Sequence, residues 1–378
     1  MSKKNYKKSR KYKKMRRRKI IFGIEITVLL ILSGILFVYA WINRSMDKMN
    51  QDTLDSSQIQ INSEVKANTD LSQMSGTQVI ALVGVDARGV EGSELAESMN
   101  SDTIILCCID HDKQEIRMVS IMRDTWMNMA KYTDEYYEFD KANSAYNRGG
   151  PESMLSMLNT NLDFALTDYV TVNFKALADA IDVLGGLDIE MTNAECVHAN
   201  NYNREVSEAQ GVEYEAIPYD EDLGDDYSEV RHVSGALATS YARIRYGGGD
   251  DYRRTERQRT VLTAMMQKAQ KSNILTLNKL INAAFGDIQT SFSNTDLLAL
   301  ATKVFSYDIG DTTGFPYEKT THKYDKIGDV VIPCDLASNV TQLHQFLFND
   351  ENYTPSATVL SNSQQIISNT GYKQGDGH

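Results

Sequence analysis

Residues 78–85 read QVIALVGV and residues 103–109 read TIILCCI. Runs this continuously apolar predict strands buried on both faces of a sheet. The next run, 115–121, follows the polar turn at 110–113 and is expected to pair with its predecessor as a hairpin. Beyond it, 151–158 reads as a helix, 169–173 as a strand, 174–184 as a helix ended by Gly185 and Gly186, and 187–191 as a strand. Helices interleaved with strands imply an α/β fold, a mixed central sheet flanked by helices. A further helix is predicted to start after Ser234, another to run over 253–271, another from a cap at Asn294 or Thr295 through Phe305, and a last one over 340–348. On the helix at 253–271, Arg254, Arg257, Gln258, Val261, Leu262 and Met265 share one face, so the polar members are expected to point inward toward a cavity. Residues 195–230, acidic and rich in Tyr and Asp, lack a clear period and read as a surface excursion.

The flanks of this domain, 77–355, differ in texture. Residues 1–19 hold twelve Lys and Arg and no acid, and 20–42 read IIFGIEITVLLILSGILFVYAWI, with Glu25 as the only charge. A run of this length crosses a hydrocarbon core of about 30 Å. The positive-inside rule then makes 1–19 a basic cytoplasmic tail, 20–42 a single transmembrane helix in the plasma membrane, and the rest extracytoplasmic. A cleaved signal peptide is the alternative. Residues 43–76 read as a polar stalk and 356–378 as a polar, frayed C-terminal tail.

The whole chain has a formal charge of −12, but after Lys19 there are 27 bases against 51 acids. So acidic a body repels nucleic acid, which is excluded as a partner, and any anion site must be a local basic pocket. Four cysteines leave the redox question open: Cys107 and Cys108 point to opposite faces of one strand, whereas Cys196 and Cys334 are available to pair. The six His lack the spacing of a zinc site.

Three segments place charge at strand ends, where ligands bind in α/β sheets: Asp86 after VGV, Asp102 before TIIL, and Arg123 within SIMRDT. Aspartate is also a routine strand-terminating residue. A fourth segment, from Arg243 through Arg245 to DDYRRTERQR at 250–259, holds six Arg in seventeen residues. Planar guanidinium forks clamp phosphate oxygens, and two acids with one hard cation would complete a pyrophosphate site holding Mg²⁺. Ion pairs with the acidic insertion are the alternative use of these arginines.

In their order these segments resemble the LytR-CpsA-Psr family of membrane-anchored enzymes from Gram-positive bacteria. The matching stretches are VGVDAR at 83–88, SDTIIL at 101–106, VSIMRDT at 119–125, KANSAYNRGG at 141–150, ADAIDVLGGLDI at 178–189, SGALATSYARIRY at 234–246 and DYRRTERQ at 251–258. The resemblance implies a phosphotransferase that moves a glycopolymer, of teichoic acid or capsular polysaccharide type, from an undecaprenyl-pyrophosphate carrier to peptidoglycan. It implies Mg²⁺ on Asp86 and Asp102, and pyrophosphate contacts from Arg88, Arg123, Arg243, Arg245, Arg254, Arg257 and Gln258. Catalysis would fall to Arg123, Arg243, Arg245 and Asp251, the last orienting an Arg or accepting a proton. The polyprenyl tail would lie between helices at 151–184 and 261–285. The chain departs from the family at Asn100, where an Arg is usual and Arg88 or Arg148 would have to substitute, and at Met122 in place of Pro. A non-catalytic carrier-binding or regulatory envelope protein, and a pyrophosphate hydrolase, are the competing functions.

Overall fold

The computed structural model describes residues 50–377, apart from 52–53, 68–75, 86–98, 131–137, 246–249 and scattered positions between 274 and 305. The basic tail, the expected membrane helix, Asp86, Arg88 and most of the helix expected at 294–305 lie outside the described residues. Among the described residues no helix is long and apolar enough to cross a membrane.

The strands are β1 Asn50–Gln51, β2 Thr77–Val85, β3 Ser101–Asp110, β4 Glu115–Ile121, β5 Trp126–Asn128, β6 Phe139–Lys141, β7 Tyr169–Asn173, β8 Leu187–Thr192, β9 Ser228–Val233, β10 Ile288–Thr290, β11 Asp308–Phe315, β12 Lys319–Tyr324 and β13 Gly328–Pro333. Seven form the central sheet in the order β1-β10-β7-β2-β3-β4-β11. It is mixed: β1 with β10, β7 with β2, and β4 with β11 pair parallel, and the other neighbours antiparallel. The expected β3–β4 hairpin is present.

The helices are α1 Ser63–Ala67, α2 Ser144–Leu162, α3 Phe174–Val183, α4 Asn193–Gln210, α5 Gly235–Arg243, α6 Asp250–Gln270, α7 Leu336–Phe348 and α8 Ala357–Thr370. Both faces of the sheet are covered, which is why β2 and β3 read as unbroken apolar runs. On one face Ala81, Val83, Ile104 and Leu106 pack with Leu155 and Leu158 of α2, Val340 and Leu343 of α7, and Val359 of α8. On the other, Ile80, Ile105 and Cys107 pack against Leu262 and Met266 of α6. A third cluster joins α3, α4, α5, α6 and β8 through Ile181, Ala199, Leu237, Val261 and Leu187. Cys107 and Cys108 fall on opposite faces, and all four cysteines are buried and unpaired, so Cys196 and Cys334 do not form a disulfide.

Four expectations need correction. The region 195–230 is not a bare excursion, because its first part is α4, opened by a capping box between Thr192 and Glu195. Its buried face is partly polar: Asn203 donates to the Glu215 carbonyl at 2.6 Å, and Ser240 donates to Asn203. That polar lining hides the apolar period. Part of the expected stalk belongs to the domain, since Ile59 and Val65 are buried and Asn62 donates to Asp163 at 2.5 Å. The expected tail likewise forms α8, capped by Ser356, with Val359 and Ile366 in the core. Finally, the helix expected at 151–158 is present as the second limb of α2, beyond a break at Gly149 and Gly150, but it packs on the sheet face opposite α6, so it does not face the helix at 261–270 across a groove for a polyprenyl tail as expected.

Candidate functional site

The hairpin sets the first two groups. Asp102 is the second residue of β3, and Arg123 follows β4 in a turn held by Thr125, whose hydroxyl donates to the Met122 carbonyl at 2.7 Å. Arg123 Nη1 lies 2.5 Å from Asp102 Oδ1, and its Nε lies 3.3 Å from Asp124 Oδ2. Lys141 Nζ holds the other Asp124 oxygen at 3.0 Å. Met122, where the family has Pro, is buried and its backbone N–H donates to the Phe315 carbonyl, a bond that proline could not make.

Helix α5 supplies the next group. It starts at the Ser234 cap and approaches α3 so closely that a Cβ on Gly235 would stand 2.1 Å from the Ala178 carbonyl oxygen. Its last residue, Arg243, projects over the rings of Phe174 and Tyr202, with centroids 5.7 and 5.9 Å away, an arrangement that favours a cation. Just past the helix, Arg245 Nη2 lies 3.9 Å from Asp102 Oδ1. Helix α6 then buries Arg254 and Gln258.

Asp102, Arg123, Arg243, Arg245, Arg254 and Gln258 line one cavity of about 260 Å³, floored by Phe174 and Tyr202. Four guanidinium groups face one described carboxylate there, so the pocket is basic inside an acidic domain. A second cavity of about 250 Å³ is apolar, enclosed by Leu82, Ile105 and Val170 of the sheet, Leu177 of α3, and Val261, Leu262 and Met265 of α6. The two share Phe174, Ala242 and Gln258. At that seam the Gln258 side-chain oxygen is buried without a hydrogen-bond partner among the described residues, as expected of a group that awaits a ligand.

Other candidates stand apart. Arg257 turns away from the cavity: its Nε lies 2.8 Å from Glu195 Oε1, Nη1 donates to the Ile244 carbonyl at 3.3 Å, and the guanidinium lies over the Tyr241 ring. It braces the chain that carries Arg245. Asn100 receives a hydrogen bond from Asn147, and Arg148 is ion-paired with Asp140, so neither lines the cavity. Asp251 is in the first turn of α6, but its side chain is not described. Phe174, Tyr202 and Glu195 escaped the reading of the sequence; the last two sit on α4, and only the Thr192-to-Glu195 capping spacing advertises that helix.

Asp102 suits Mg²⁺ chemically, because that ion binds through one or two carboxylates together with substrate phosphates and water. The carboxylate sits among guanidinium groups, 2.5 Å from Arg123 and 3.9 Å from Arg245.

On this α/β scaffold a cavity lined by guanidinium groups adjoins an apolar one. The LytR_cpsA_psr family profile matches residues 36–323, and the chain belongs to that family. TagV of Bacillus subtilis (strain 168), a polyisoprenyl-teichoic acid–peptidoglycan teichoic acid transferase, is 26% identical over 232 residues, covering 58% of this chain and 51% of TagV. The chain thus spans about half of TagV's length. TagU of Enterococcus faecalis (strain ATCC 700802 / V583), of the same transferase name, is 26% identical over 285 residues, covering 75% of this chain and 81% of TagU. Among solved structures, TagT bound to LI-WTA matches with a TM-score of 0.54 and 18% identity, over 74% of this chain and 92% of that one. Protein gbs0355 from Streptococcus agalactiae matches with a TM-score of 0.59 and 22% identity, over 77% and 94%. These likenesses show the fold.

Proposed function

We propose that the protein is a membrane-anchored phosphotransferase that moves a glycopolymer of teichoic acid or capsular polysaccharide type from an undecaprenyl-pyrophosphate carrier to peptidoglycan. The observation that carries this reading is the seam at Phe174, Ala242 and Gln258, where a basic cavity meets an apolar one. A lipid pyrophosphate has the same two parts. The transferase names of TagV and TagU support the polymer and the acceptor. The run at 20–42 would hold the domain at the outer membrane surface, with the N-terminus in the cytoplasm.

In this reading the pyrophosphate lies among Arg123, Arg243, Arg245 and Arg254, and the polyprenyl chain enters the cavity between the sheet, α3 and α6. A peptidoglycan hydroxyl oxygen attacks the phosphorus that bears the glycopolymer. The new P–O bond forms as the bond from that phosphorus to the bridging oxygen breaks, and undecaprenyl phosphate departs with the electron pair. The guanidinium groups stabilise charge on the bridging and equatorial oxygens. Asp251 is the proposed acceptor of the hydroxyl proton. Bound by Asp102 and Asp86, Mg²⁺ would add Lewis-acid polarisation of the phosphate oxygens.

The test is transfer by the full chain in liposomes, with a lipid-linked donor and peptidoglycan, beside Arg243→Ala and Asp102→Ala. A loss of about 10²–10³-fold is expected from each, the usual effect of removing one stabilising group. Wild-type transfer by both variants would refute the proposal. Donor binding without turnover would identify a carrier-binding protein instead, and polymer released into solution a hydrolase.

A further inference from the structure

Arg259 follows Gln258 on α6, and so projects about 100° further around the helix. It faces β11 instead of the cavity: Nη1 lies 3.8 Å from where a Cβ on Gly314 would stand. The residue is 4% exposed, and its Nε and Nη1 have no hydrogen-bond partner among the described residues. Burial lowers the guanidinium pKa, and the groups that act to raise it are Tyr252 and the exposed Glu256. Two unpaired nitrogens on a guanidinium this deeply buried are costly unless a ligand satisfies them.

The surroundings supply more donors. Ser120 is the register partner of Gly314 across the β4–β11 pair, so the two point to the same face of the sheet. Its hydroxyl is buried and also without a partner. Lys319, at the start of β12, carries its ammonium 5.1 Å over the centroid of the Tyr252 ring. Gly314 lets the Tyr252 ring and Arg259 come close to β11: an added methyl would stand in van der Waals contact with both, at 3.5 Å and 3.8 Å.

We infer that Arg259, Ser120 and Lys319 form a second anion site around Gly314, one that takes a tetrahedral oxyanion of the phosphate class. A guanidinium fork, a hydroxyl and an ammonium match an anion with three or four acceptor oxygens better than a carboxylate with two. The site stands independently of the transfer reading. A phosphodiester-linked polymer would supply the group, and so would free inorganic phosphate.

The test is thermal unfolding of the full chain at constant ionic strength, titrated with inorganic phosphate or with diethyl phosphate. It is run on Arg243→Ala, which weakens the first pocket, and on that variant combined with Arg259→Met or with Gly314→Ala. In Arg243→Ala, phosphate is expected to raise Tm by roughly 2–4 °C for each tenfold excess over the dissociation constant. Arg259→Met should abolish the rise while leaving the ligand-free protein at least as stable. Gly314→Ala, which introduces no clash, should cut affinity several-fold and decides the matter should Arg259→Met fail to fold. A response to diethyl phosphate assigns the site to phosphodiesters, and a response to inorganic phosphate alone assigns it to the free ion. No rise in Arg243→Ala, or a rise that survives both second substitutions, overturns the inference. Loss of transfer activity plays no part in this readout, so it fails or succeeds apart from the proposed function.

Discussion

Asp102 lies at the start of one strand and Arg123 just past the end of the next, yet a carboxylate oxygen and a guanidinium nitrogen stand 2.5 Å apart. The hairpin explains this. Ile104 pairs with Ile121, and in an antiparallel ladder the positions two beyond that pair, 102 and 123, come opposite one another. The tight turn at 110–113 therefore fixes the spacing of two groups that lie 21 residues apart in the chain.

If the pair acts as a unit on the pyrophosphate, its members should not contribute additively. Asp102→Ala and Arg123→Ala are each expected to reduce transfer about 10²-fold, and the double variant to lose well short of the product. Arg123→Lys should recover little, because an ammonium cannot reproduce the fork. Initial rates of transfer for the four proteins check this; full additivity would show that the two groups act separately.

Arg257 lends itself to a stability measurement. With its side chain 6% exposed, it relies on Glu195, which also closes the capping box of α4. Glu195→Ala should destabilise the domain by about 3–4 kcal/mol, the cost of an orphaned buried charge plus a weakened cap. Glu195→Gln should cost clearly less, since the amide oxygen still accepts. Equal losses in denaturant melts would mean that the ion pair matters little to the fold.

The contrast between Asp102 and Glu195 shows what the sequence made legible. Strands β2, β3 and β4 announce themselves through apolar runs, so the acids and arginines at their ends were found at once. The face of α6 was equally visible, because Arg254 and Gln258 fall in period with Val261 and Leu262. Helix α4 was not, because Asn203 and Ser207 occupy positions where an apolar period would have revealed burial. The same holds for the segment around Asn62 and for α8, whose polar residues are buried through hydrogen bonds to distant partners such as Asp163 and Asn161. Long-range polar satisfaction leaves no periodic trace in a single chain. Nor could spacing reveal that Arg257 and Gln258, adjacent in sequence, diverge, the first toward Glu195 and the second into the cavity wall.

The position of Arg243 depends on how closely α5 meets α3, and Gly235 sets that distance. A methyl group at 2.1 Å from the Ala178 carbonyl oxygen forces the helices apart. Gly235→Ala is therefore expected to cost about 2–3 kcal/mol by overpacking and to lower transfer through displacement of Arg243. Gly185→Ala is the control. There φ is +78° but nothing lies within 4 Å, so about 1 kcal/mol of backbone strain is expected without a catalytic effect. Melting and transfer rates for both variants separate packing from local strain.

The far side of the sheet offers a pH-dependent measurement. His344 is sandwiched at 3.8 Å against Tyr353 and at 5.1 Å against Phe164, and its Nε2–H donates to the Leu162 carbonyl at 2.8 Å. Burial holds its pKa below the ordinary value of 6.5, against the opposing pull of that carbonyl, Asp163 and Asp350. The unfolded chain thus takes up a proton at a higher pH than the folded one does. The stabilising effect of keeping this ring neutral is complete above pH 6.5 and is lost progressively as pH falls from there toward the depressed folded-state value, by at most about 1.4 kcal/mol per unit. Asp163 makes the loss consequential, since it also receives Asn62, Tyr353 and the Ser356 N–H, joining the N-terminal segment to α8 at the same place. Protonation of His344 should loosen all three together. His344→Gln, which stays neutral and can still donate to Leu162, should be less stable than wild type at pH 7.5 because it loses the ring stack, and the gap should narrow as pH is lowered to 5. Parallel stability profiles for the two proteins in urea would show that His344 is not the group that titrates.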